Sequence, residues 1–355
     1  MNELLTEKRF EPYIISEIGV NYFDIADEED MTPLKAAKKM IDEAAKAGTD
    51  AVKFQSYSAE KLASKKSPAY WDTDEESTES QHELFQKYDS FGRREFNELS
   101  KYTDKHGIDF LSTPFDKDSV DYISKLAPAI KVASGDITDI PLLKYIAEKG
   151  NPVILSTGAS TLGEVATAVE NMRQVDEELD ISLLHCVLSY PTDPENANLS
   201  MIEHIDDAFP KCRVGYSDHV APDERMITLV NAWRHGASII EKHFTLDKSL
   251  PGNDHYHAMN PSDLSKLSSN LKIIKETSGS KDVKQPLQVE QNSRKYARRS
   301  LVANEAIEKG EAIDGQQVSI KRPGTGIQPK MLEKIIGREA RKKIEEDDIL
   351  TWDHI

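Results

Sequence analysis

Short apolar or β-branched runs alternate with amphipathic stretches between residues 13 and 279. The runs cover residues 13–21, 50–57, 108–115, 129–137, 152–158, 181–191, 212–219 and 238–245. The stretches between them, such as PLKAAKKMIDEAAKAG, place apolar residues at i, i+3, i+4 and i+7, which is typical of helices with one buried face. Gly48, Gly107 and Gly150 each precede a new run and predict helix ends. The pattern therefore predicts eight strand–helix units.

Strict alternation of strands and helices requires parallel strands, and eight such units can close into a barrel. A doubly wound open sheet is the alternative. That fold would carry a glycine-rich phosphate-binding fingerprint after the first strand, whereas the sequence there is GVNYFD. We therefore predict an α/β protein with a (β/α)8 TIM barrel over residues 1–280.

Two segments break the alternation. Residues 58–95 are polar and weakly periodic, which predicts a loop at the barrel mouth, either a lid or a solvated insertion. Residues 281–294 predict a linker, and residues 295–355 predict a small β-rich domain in which the pattern of residues 303–313 recurs at residues 340–350. A domain of about 60 residues has a marginal core, so we expect it to pack on another surface.

Composition narrows the possible partners. Hydrophobic residues are 38% and charged residues 30%, and no apolar run approaches the length of a membrane span, which favours a soluble protein. Residues 1–10 lack the apolar core of a secretion signal, and two cysteines suit a reducing cytoplasm. The net charge of -17 argues against nucleic acid and anionic membranes as partners. An anionic substrate would need a local cluster of positive charge.

The predicted strand ends, where barrel enzymes place their chemistry, are rich in polar residues. Lys53 and Lys131 lie in otherwise apolar strands, and because lysine is rarely buried without a partner, they imply an anion inside the barrel. The alternative is that both extend to the surface. An STG turn at residues 156–158 can present N–H groups to phosphate at a helix N-terminus. Residues two apart share a strand face. Such pairs are Lys53 and Gln55, Ser217 and His219, and Glu241 and His243.

His219 and His243 end adjacent predicted strands, so both imidazoles can bind one ion. Two histidines without a thiolate leave positions for water and substrate, which suits an open catalytic site for Mn²⁺, Zn²⁺ or a similar ion. The alternative is a pair of core histidines bonded to backbone carbonyls. We assign His185 to the core.

The motifs EIGVN, KFQ, STPFD, KVASGDITDIPLL, ILSTGAS, LLHCVLSYPT, GYSDH, EKHFT and PGNDHYHAMNP follow in this order along the chain. Together they resemble the sialic acid synthase family, and RRSLVANEAIEKGEAI and KRPGTGI resemble the antifreeze-like (SAF) domain that completes those enzymes. The resemblance implies a domain-swapped homodimer that condenses phosphoenolpyruvate with N-acetylmannosamine and water to N-acetylneuraminate and phosphate. It also implies a divalent metal, Mn²⁺ first, with Mg²⁺ or Co²⁺ as alternatives.

The same resemblance implies roles for individual residues. Phosphoenolpyruvate would be bound by Lys53, Lys131, Ser134, Ser156 and Ser217. His219 and His243 would hold the metal and act with Glu17 in catalysis. The residues around the sugar would be Glu17, Gln55, Tyr190, Asp254, Tyr296 and Arg322, the last two reaching the site of the other protomer.

Departures from the family pattern concern the acceptor sugar. Tyr22 stands where histidine is common, and Cys186-Val187-Leu188 stands where a polar CTN-type sequence is common. An N,N'-diacetyllegionaminate or pseudaminate synthase that uses a diacetamido-trideoxy hexose is therefore the alternative. A Schiff-base aldolase would not need the histidine pair, and a non-catalytic protein built on the SAF domain would not need the polar strand ends.

Overall fold

The structure is a computed structural model that describes residues 11–69, 71, 73, 76–252, 254–279 and 283–355. The first ten residues, which bear on the expected absence of a secretion signal, and residues 281–282 of the predicted linker lie outside this range. The chain divides into two compact units, Met1–Gly279 and Ser280–Ile355. In the part of the chain that is described, no helix has the length and apolar composition needed to cross a membrane.

The first unit is a nearly closed barrel of parallel strands, as the alternating pattern predicts. The strands are β1 (Tyr13–Gly19), β2 (Ala51–Ser56), β3 (Asp109–Pro114), β4 (Ile130–Val132), β5 (Val153–Ser156), β6 (Ile181–Cys186), β7 (Arg213–Asp218) and β8 (Ile239–His243). Their order is β3-β2-β1-β8-β7-β6-β5-β4, with β4 lying against β3. Every predicted run begins within one residue of its strand, and several runs extend past it into the polar loops.

Helices follow the strands and bury one face each. They are α1 (Tyr22–Glu28), α2 (Pro33–Ala47), α3 (Ala59–Leu62), α4 (Gln81–Tyr88), α5 (Arg93–Asp104), α6 (Lys117–Ile123), α7 (Ile140–Ala147), α8 (Leu162–Arg173), α9 (Met201–Ala208), α10 (Ile227–Arg234) and α11 (Pro261–Ser278). The start of α2 is capped by Thr32, whose side chain accepts the N–H of Lys35, with Pro33 in the first turn. It ends at Gly48, whose φ of 98° lies in the left-handed region that glycine favours.

The segment 58–95 is not the irregular loop that its polar sequence predicts. It contains α3, α4 and the start of α5. Ser80 caps α4 by accepting the N–H of Glu83, and most side chains of this short helix stay at least partly exposed. Because these helices bury few residues each, their apolar positions are too few to establish a helical period in the sequence.

The barrel interior is apolar toward the N-terminal ends of the strands and polar toward their C-terminal ends. A buried cluster fills the apolar part with Tyr13, Ile15, Ala51, Leu111, Ala129, Ile154, Leu184 and Ile239. Gly215 lies beside this cluster and leaves no room for a side chain, since a Cβ at this position would lie 2.4 Å from Leu184. Two residues beyond the cluster members, the same strand faces carry Glu17, Lys53, Lys131, Ser156 and Glu241. The apolar layer is therefore the floor of a polar cavity.

The second unit is built from two interlocking repeats. Strand β9 (Ser300–Ala303) pairs antiparallel with β10 (Val318–Lys321), and the short helices α12 (Gln291–Tyr296) and α13 (Leu332–Ile335) complete the unit. At the centre, Ile307 and Ile344 are fully buried and exchange both backbone hydrogen bonds at 2.9 Å. The internal repeat in the sequence is thus also a structural repeat, in which each copy supplies the other with partners.

The first alanine of each repeat is also hydrogen-bonded to the backbone of the other repeat, near the end of that repeat. Backbone hydrogen bonds join Ala303 to Asp347 and Asp348, and join Ala340 to Gly310 and Glu311. Gly310 and Asp347 occupy equivalent positions and both have positive φ, 85° and 67°. The arrangement is therefore repeated in its backbone conformation as well as in its hydrogen bonds.

Candidate active site

A cavity of about 600 Å³ opens at the C-terminal ends of the barrel strands. The predicted site residues that line it are Glu17, Lys53, Gln55, Lys131, Ser134, Ser156, Tyr190, Ser217, His219, His243 and Asp254. Tyr296 and Arg322 are exposed residues of the second unit. All three pairs expected to share a strand face point into the cavity, and Glu17 on β1 is the register partner of both Lys53 and His243.

Two lysines and two glutamates meet in this cavity, and all four are buried. Lys53 Nζ lies 2.7 Å from Glu17 Oε2 and donates to Thr113 Oγ1 at 3.1 Å. The Nζ atoms of Lys53 and Lys131 each lie 3.8 Å from Glu241 Oε1. The buried lysines implied an anion inside the barrel, and the protein itself supplies part of that negative charge. Two carboxylates thus balance the expected positive cluster.

The two glutamates differ in their protonation equilibria. Burial raises the pKa of Glu17, although Lys53 acts in the opposite direction. Burial also opposes ionisation of Glu241, but Lys131 and Lys53 outweigh it, so the pKa of Glu241 is lowered. Glu241 is therefore the charged partner of both lysines, and Glu17 is the carboxyl group better suited to exchange a proton.

Lys131 and two serines form one group of polar side chains in the cavity. Lys131 Nζ donates to Ser156 Oγ at 2.7 Å and to the carbonyl of Val132 at 2.9 Å. Ser134 Oγ accepts the backbone N–H of Gly158 at 2.9 Å. An ammonium group and two hydroxyls on neighbouring strands can bind a phosphate or carboxylate group.

The start of the helix after β5, α8, is capped by its own side chains. Thr161 Oγ1 accepts the N–H of Glu164 at 3.3 Å, and Glu164 Oε2 accepts the N–H of Thr161 at 2.7 Å. This capping box satisfies donors at the start of α8. The N–H groups of Thr161 and Glu164 are therefore already bonded, as is that of Gly158 in the STG turn.

Histidines and a carboxylate form a second group of side chains at the cavity. His219 Nδ1 lies 2.7 Å from the carbonyl oxygen of Val187, which fixes the ring and leaves Nε2 for a ligand. The ring centroids of His219 and His243 are 5.6 Å apart. His243, Asp254 and His257 form a group whose potential ligand atoms all lie within 4.8 Å of one another. The first two line the cavity, and His257 is fully buried.

The chemistry of these donors fits a divalent cation. Nδ1 of His243 and both ring nitrogens of His257 are buried without a hydrogen-bond partner. Burial holds the pKa of His243 well below its usual value and lowers that of His257 to about 2, so both imidazoles are neutral and can bind a cation. Burial, with a smaller contribution from Glu17, raises the pKa of Asp254 to about 6.

Several residues that line the cavity or lie beside it were not identified from the sequence. His257 belongs to the DHYH sequence after β8, whose two histidines at alternate positions were a usable signal. Seven described residues of segment 58–95 line the cavity, namely Leu62, Trp71, Glu76, Gln81, Leu84, Phe85 and Tyr88. His185 lies in the core as expected, with Nε2 2.8 Å from the carbonyl oxygen of Ala197.

The residues that depart from the family pattern lie in two environments. Tyr22 is buried against Phe91 and Phe54, with ring centroids 4.6 Å and 5.9 Å away, and it does not line the cavity. Tyr22 is therefore part of the aromatic core and not of the cavity wall. Cys186 and Leu188 do line the cavity, and burial raises the pKa of the Cys186 thiol to about 11. They make this part of the wall less polar.

Comparison with known proteins gives consistent matches over both units. Residues 40–283 match the model of the NeuB family, and residues 298–355 match the SAF domain. An uncharacterized protein of Methanocaldococcus jannaschii is 40% identical over 97% of this chain and 94% of its own length. The N,N'-diacetyllegionaminic acid synthase of Campylobacter jejuni is 37% identical over 95% of this chain and 98% of its own.

A solved structure shows the same fold. The N-acetylneuraminic acid synthetase of Leptospira borgpetersenii, crystallised with citrate, is 33% identical and superimposes with a TM-score of 0.67. The match covers 80% of this chain and 90% of the other.

Proposed function

This chain belongs to the NeuB family and carries a SAF domain, and from that premise we propose that it condenses phosphoenolpyruvate with an N-acylated amino sugar and water to give a nonulosonic acid and phosphate. The observation that carries the proposal is one cavity that contains two buried lysines beside serine hydroxyls and also adjoins a histidine–aspartate group that fits a cation. A trianionic substrate and a polarised carbonyl group need these two environments side by side.

The group of buried lysines and serines would hold phosphoenolpyruvate. Lys53 and Lys131 would bind its phosphate and carboxylate groups, and the hydroxyls of Ser134, Ser156 and Ser217 would complete the binding site. Charge that is already in place does not have to reorganise when the phosphate leaves, which favours the transition state over the bound substrate.

His219 and His243 would hold the cation, with Mn²⁺ as the first choice and Mg²⁺ or Co²⁺ as alternatives. When bound, the cation acts as a Lewis acid on the aldehyde of the open-chain sugar. C3 of phosphoenolpyruvate then forms the new carbon–carbon bond, water adds at C2, and the tetrahedral intermediate releases phosphate. Glu17, whose pKa is raised by burial, would take the proton of the water. Gln55, Tyr190 and Asp254 would orient the sugar.

Two acceptor sugars fit the proposal. N-acetylmannosamine, giving N-acetylneuraminate, agrees with the name of the Leptospira enzyme. A diacetamido-trideoxy hexose agrees with the name of the Campylobacter enzyme, which is 37% identical to this chain, and with the apolar side chains of Cys186 and Leu188 in the wall. The second sugar has fewer hydroxyl groups. When it binds, a less polar wall therefore leaves fewer polar groups of the protein without a hydrogen-bond partner.

We expect purified protein to release phosphate from phosphoenolpyruvate only when a divalent cation and the correct amino sugar are both present. The test is a panel of N-acetylmannosamine and diacetamido-trideoxy hexoses with Mn²⁺, before and after chelation. A Schiff-base aldolase would stay active after chelation and lose activity with borohydride. Activity that survives chelation, or no phosphate release with any sugar of the panel, contradicts the proposal.

We further propose a homodimer in which residues 295–355, joined by the linker 281–294 to the catalytic residues 1–280, complete the site of the partner. The region 283–296 supports this because its apolar side chains Val283, Leu287, Val289 and Tyr296 are exposed in the single chain. The planar guanidinium of Arg322, also exposed, suits an amide oxygen of the sugar, and Tyr296 would lie beside it. We expect the dimer to act in the cytoplasm.

Arg322→Ala is expected to lower the sugar-dependent rate strongly while phosphoenolpyruvate binding and dimerisation persist, because the arginine would contact only the sugar. Mixing this variant with His219→Ala should restore activity, since each hybrid dimer contains one site with both groups intact. Random exchange would recover roughly a quarter of the wild-type rate. An exposed ion pair alone would change the free energy of folding by under about 1 kcal/mol and the rate very little. If subunit exchange is demonstrated and activity does not return, the swapped arrangement is wrong.

A further inference from the structure

His257 is a fully buried histidine whose two ring nitrogens have no hydrogen-bond partner. Buried polar groups are nearly always paired, because an unpaired group loses its bonds to water and gains nothing in return. A residue of this kind therefore calls for a bonding partner other than a protein side chain or backbone group.

Burial alone does not leave a histidine of this loop unpaired. His255, two residues earlier, is also fully buried, but its Nδ1 lies 2.7 Å from Thr245 Oγ1 and its Nε2 lies 3.2 Å from Asp24 Oδ2. The same segment therefore contains one histidine whose nitrogens both face protein partners and one whose nitrogens both lack them. The difference marks His257 as a residue positioned for another kind of bond.

The surroundings of His257 indicate which bond that is. Its ring centroid lies 4.8 Å from that of His243 and 6.2 Å from that of His219. The potential ligand atoms of His243, Asp254 and His257 lie within 4.8 Å of one another, and Nδ1 of His243 is also without a hydrogen-bond partner. Neutral imidazoles around a carboxylate are the donors of a transition-metal site.

We propose that His257 is a direct ligand of the divalent cation, together with His243 and Asp254. This inference rests on the proposed function, in which His219 and His243 hold that cation. The additional imidazole makes the site richer in nitrogen than a histidine pair. Because Mg²⁺ prefers oxygen ligands and borderline ions bind imidazole well, the site should favour Mn²⁺, Co²⁺ or Zn²⁺ over Mg²⁺.

Equilibrium dialysis of Co²⁺ against the metal-free full-length protein, without substrates, tests the proposal. His257→Phe keeps a ring of similar size but removes both donors, and we expect it to weaken Co²⁺ binding by about 100-fold or more. The matched control is His185→Gln, which changes another buried barrel histidine that is bonded to the carbonyl of Ala197. The control should retain the wild-type affinity for Co²⁺, and thermal unfolding should show that both variants are folded.

A second measurement needs no variant. Pulsed electron paramagnetic resonance of the Mn²⁺-loaded wild type counts the coordinated imidazoles, with three expected from His219, His243 and His257 and two if His257 does not bind. A count of two, or unchanged Co²⁺ affinity in His257→Phe, overturns the role of His257 and leaves the proposed reaction intact. A wild type that binds neither Mn²⁺ nor Co²⁺ overturns both.

Discussion

Replacing Lys131 with methionine is expected to weaken the binding of phosphoenolpyruvate by about 100-fold or more, while the KM for the sugar changes little. The reason is that Lys131 is buried with its Nζ bonded to Ser156 Oγ at 2.7 Å, so its charge is held at the position proposed for an anionic group of the substrate. Methionine fills a similar volume and removes the charge. Calorimetric titration with phosphoenolpyruvate, beside sugar-dependent kinetics, measures the two effects separately.

The control for this experiment is a second buried lysine of the barrel. Lys242 on β8 is paired with Asp218 at 2.5 Å, and neither residue lines the cavity. Lys242→Met should lower the free energy of unfolding, because the buried Asp218 carboxylate loses its ion-pair partner and keeps only the hydrogen bonds from Tyr216 and Val220. The affinity of the folded protein for phosphoenolpyruvate should not change. Equal losses for both substrates in Lys131→Met, or a similar loss of phosphoenolpyruvate affinity in Lys242→Met, would contradict the assignment.

Replacing His243 with alanine is expected to reduce metal-dependent phosphate release by at least about 1,000-fold, because Lewis-acid stabilisation of the developing alkoxide contributes several kcal/mol. His219→Ala should behave similarly. His243→Ala should fold, since His243 Nδ1 makes no hydrogen bond that the alanine would remove. His219→Ala loses the bond between Nδ1 and the carbonyl oxygen of Val187, so thermal unfolding is measured beside its rate. Rates measured across a cation titration distinguish weaker cation binding from a lost reaction. Wild-type rates in both variants after chelation and metal titration would disprove the assignment.

The sequence predicted the barrel well because strand and helix periodicities are local signals. Each strand begins within one residue of its predicted run. The three residue pairs expected to share a strand face all line the cavity, because side chains alternate between the two faces of a strand. The helices of segment 58–95 were missed because α3 and α4 have only four and eight residues and little apolar surface to bury.

The contacts inside the cavity could not be predicted in the same way, because they join residues that are distant in the sequence. Lys53 was read as the partner of a bound anion, whereas it also pairs with Glu17 and lies 3.8 Å from Glu241 on β8. His257 was overlooked because its environment depends on how the loop after β8 folds back beside His243. Tyr22 was noted because it departs from a motif, but the motif does not indicate that its ring joins the aromatic core.

Because its two repeats are interlocked, the second unit should unfold as a whole and not one repeat at a time. Since Ile307 and Ile344 are each other's hydrogen-bond partners, neither repeat can keep its central bonds after the other has unfolded. Their amide hydrogens should therefore exchange with solvent only when the whole unit opens, at a common rate set by its global stability. A destabilising substitution in one repeat should therefore lower the free energy of unfolding of both repeats equally, because the unit unfolds as a single cooperative element.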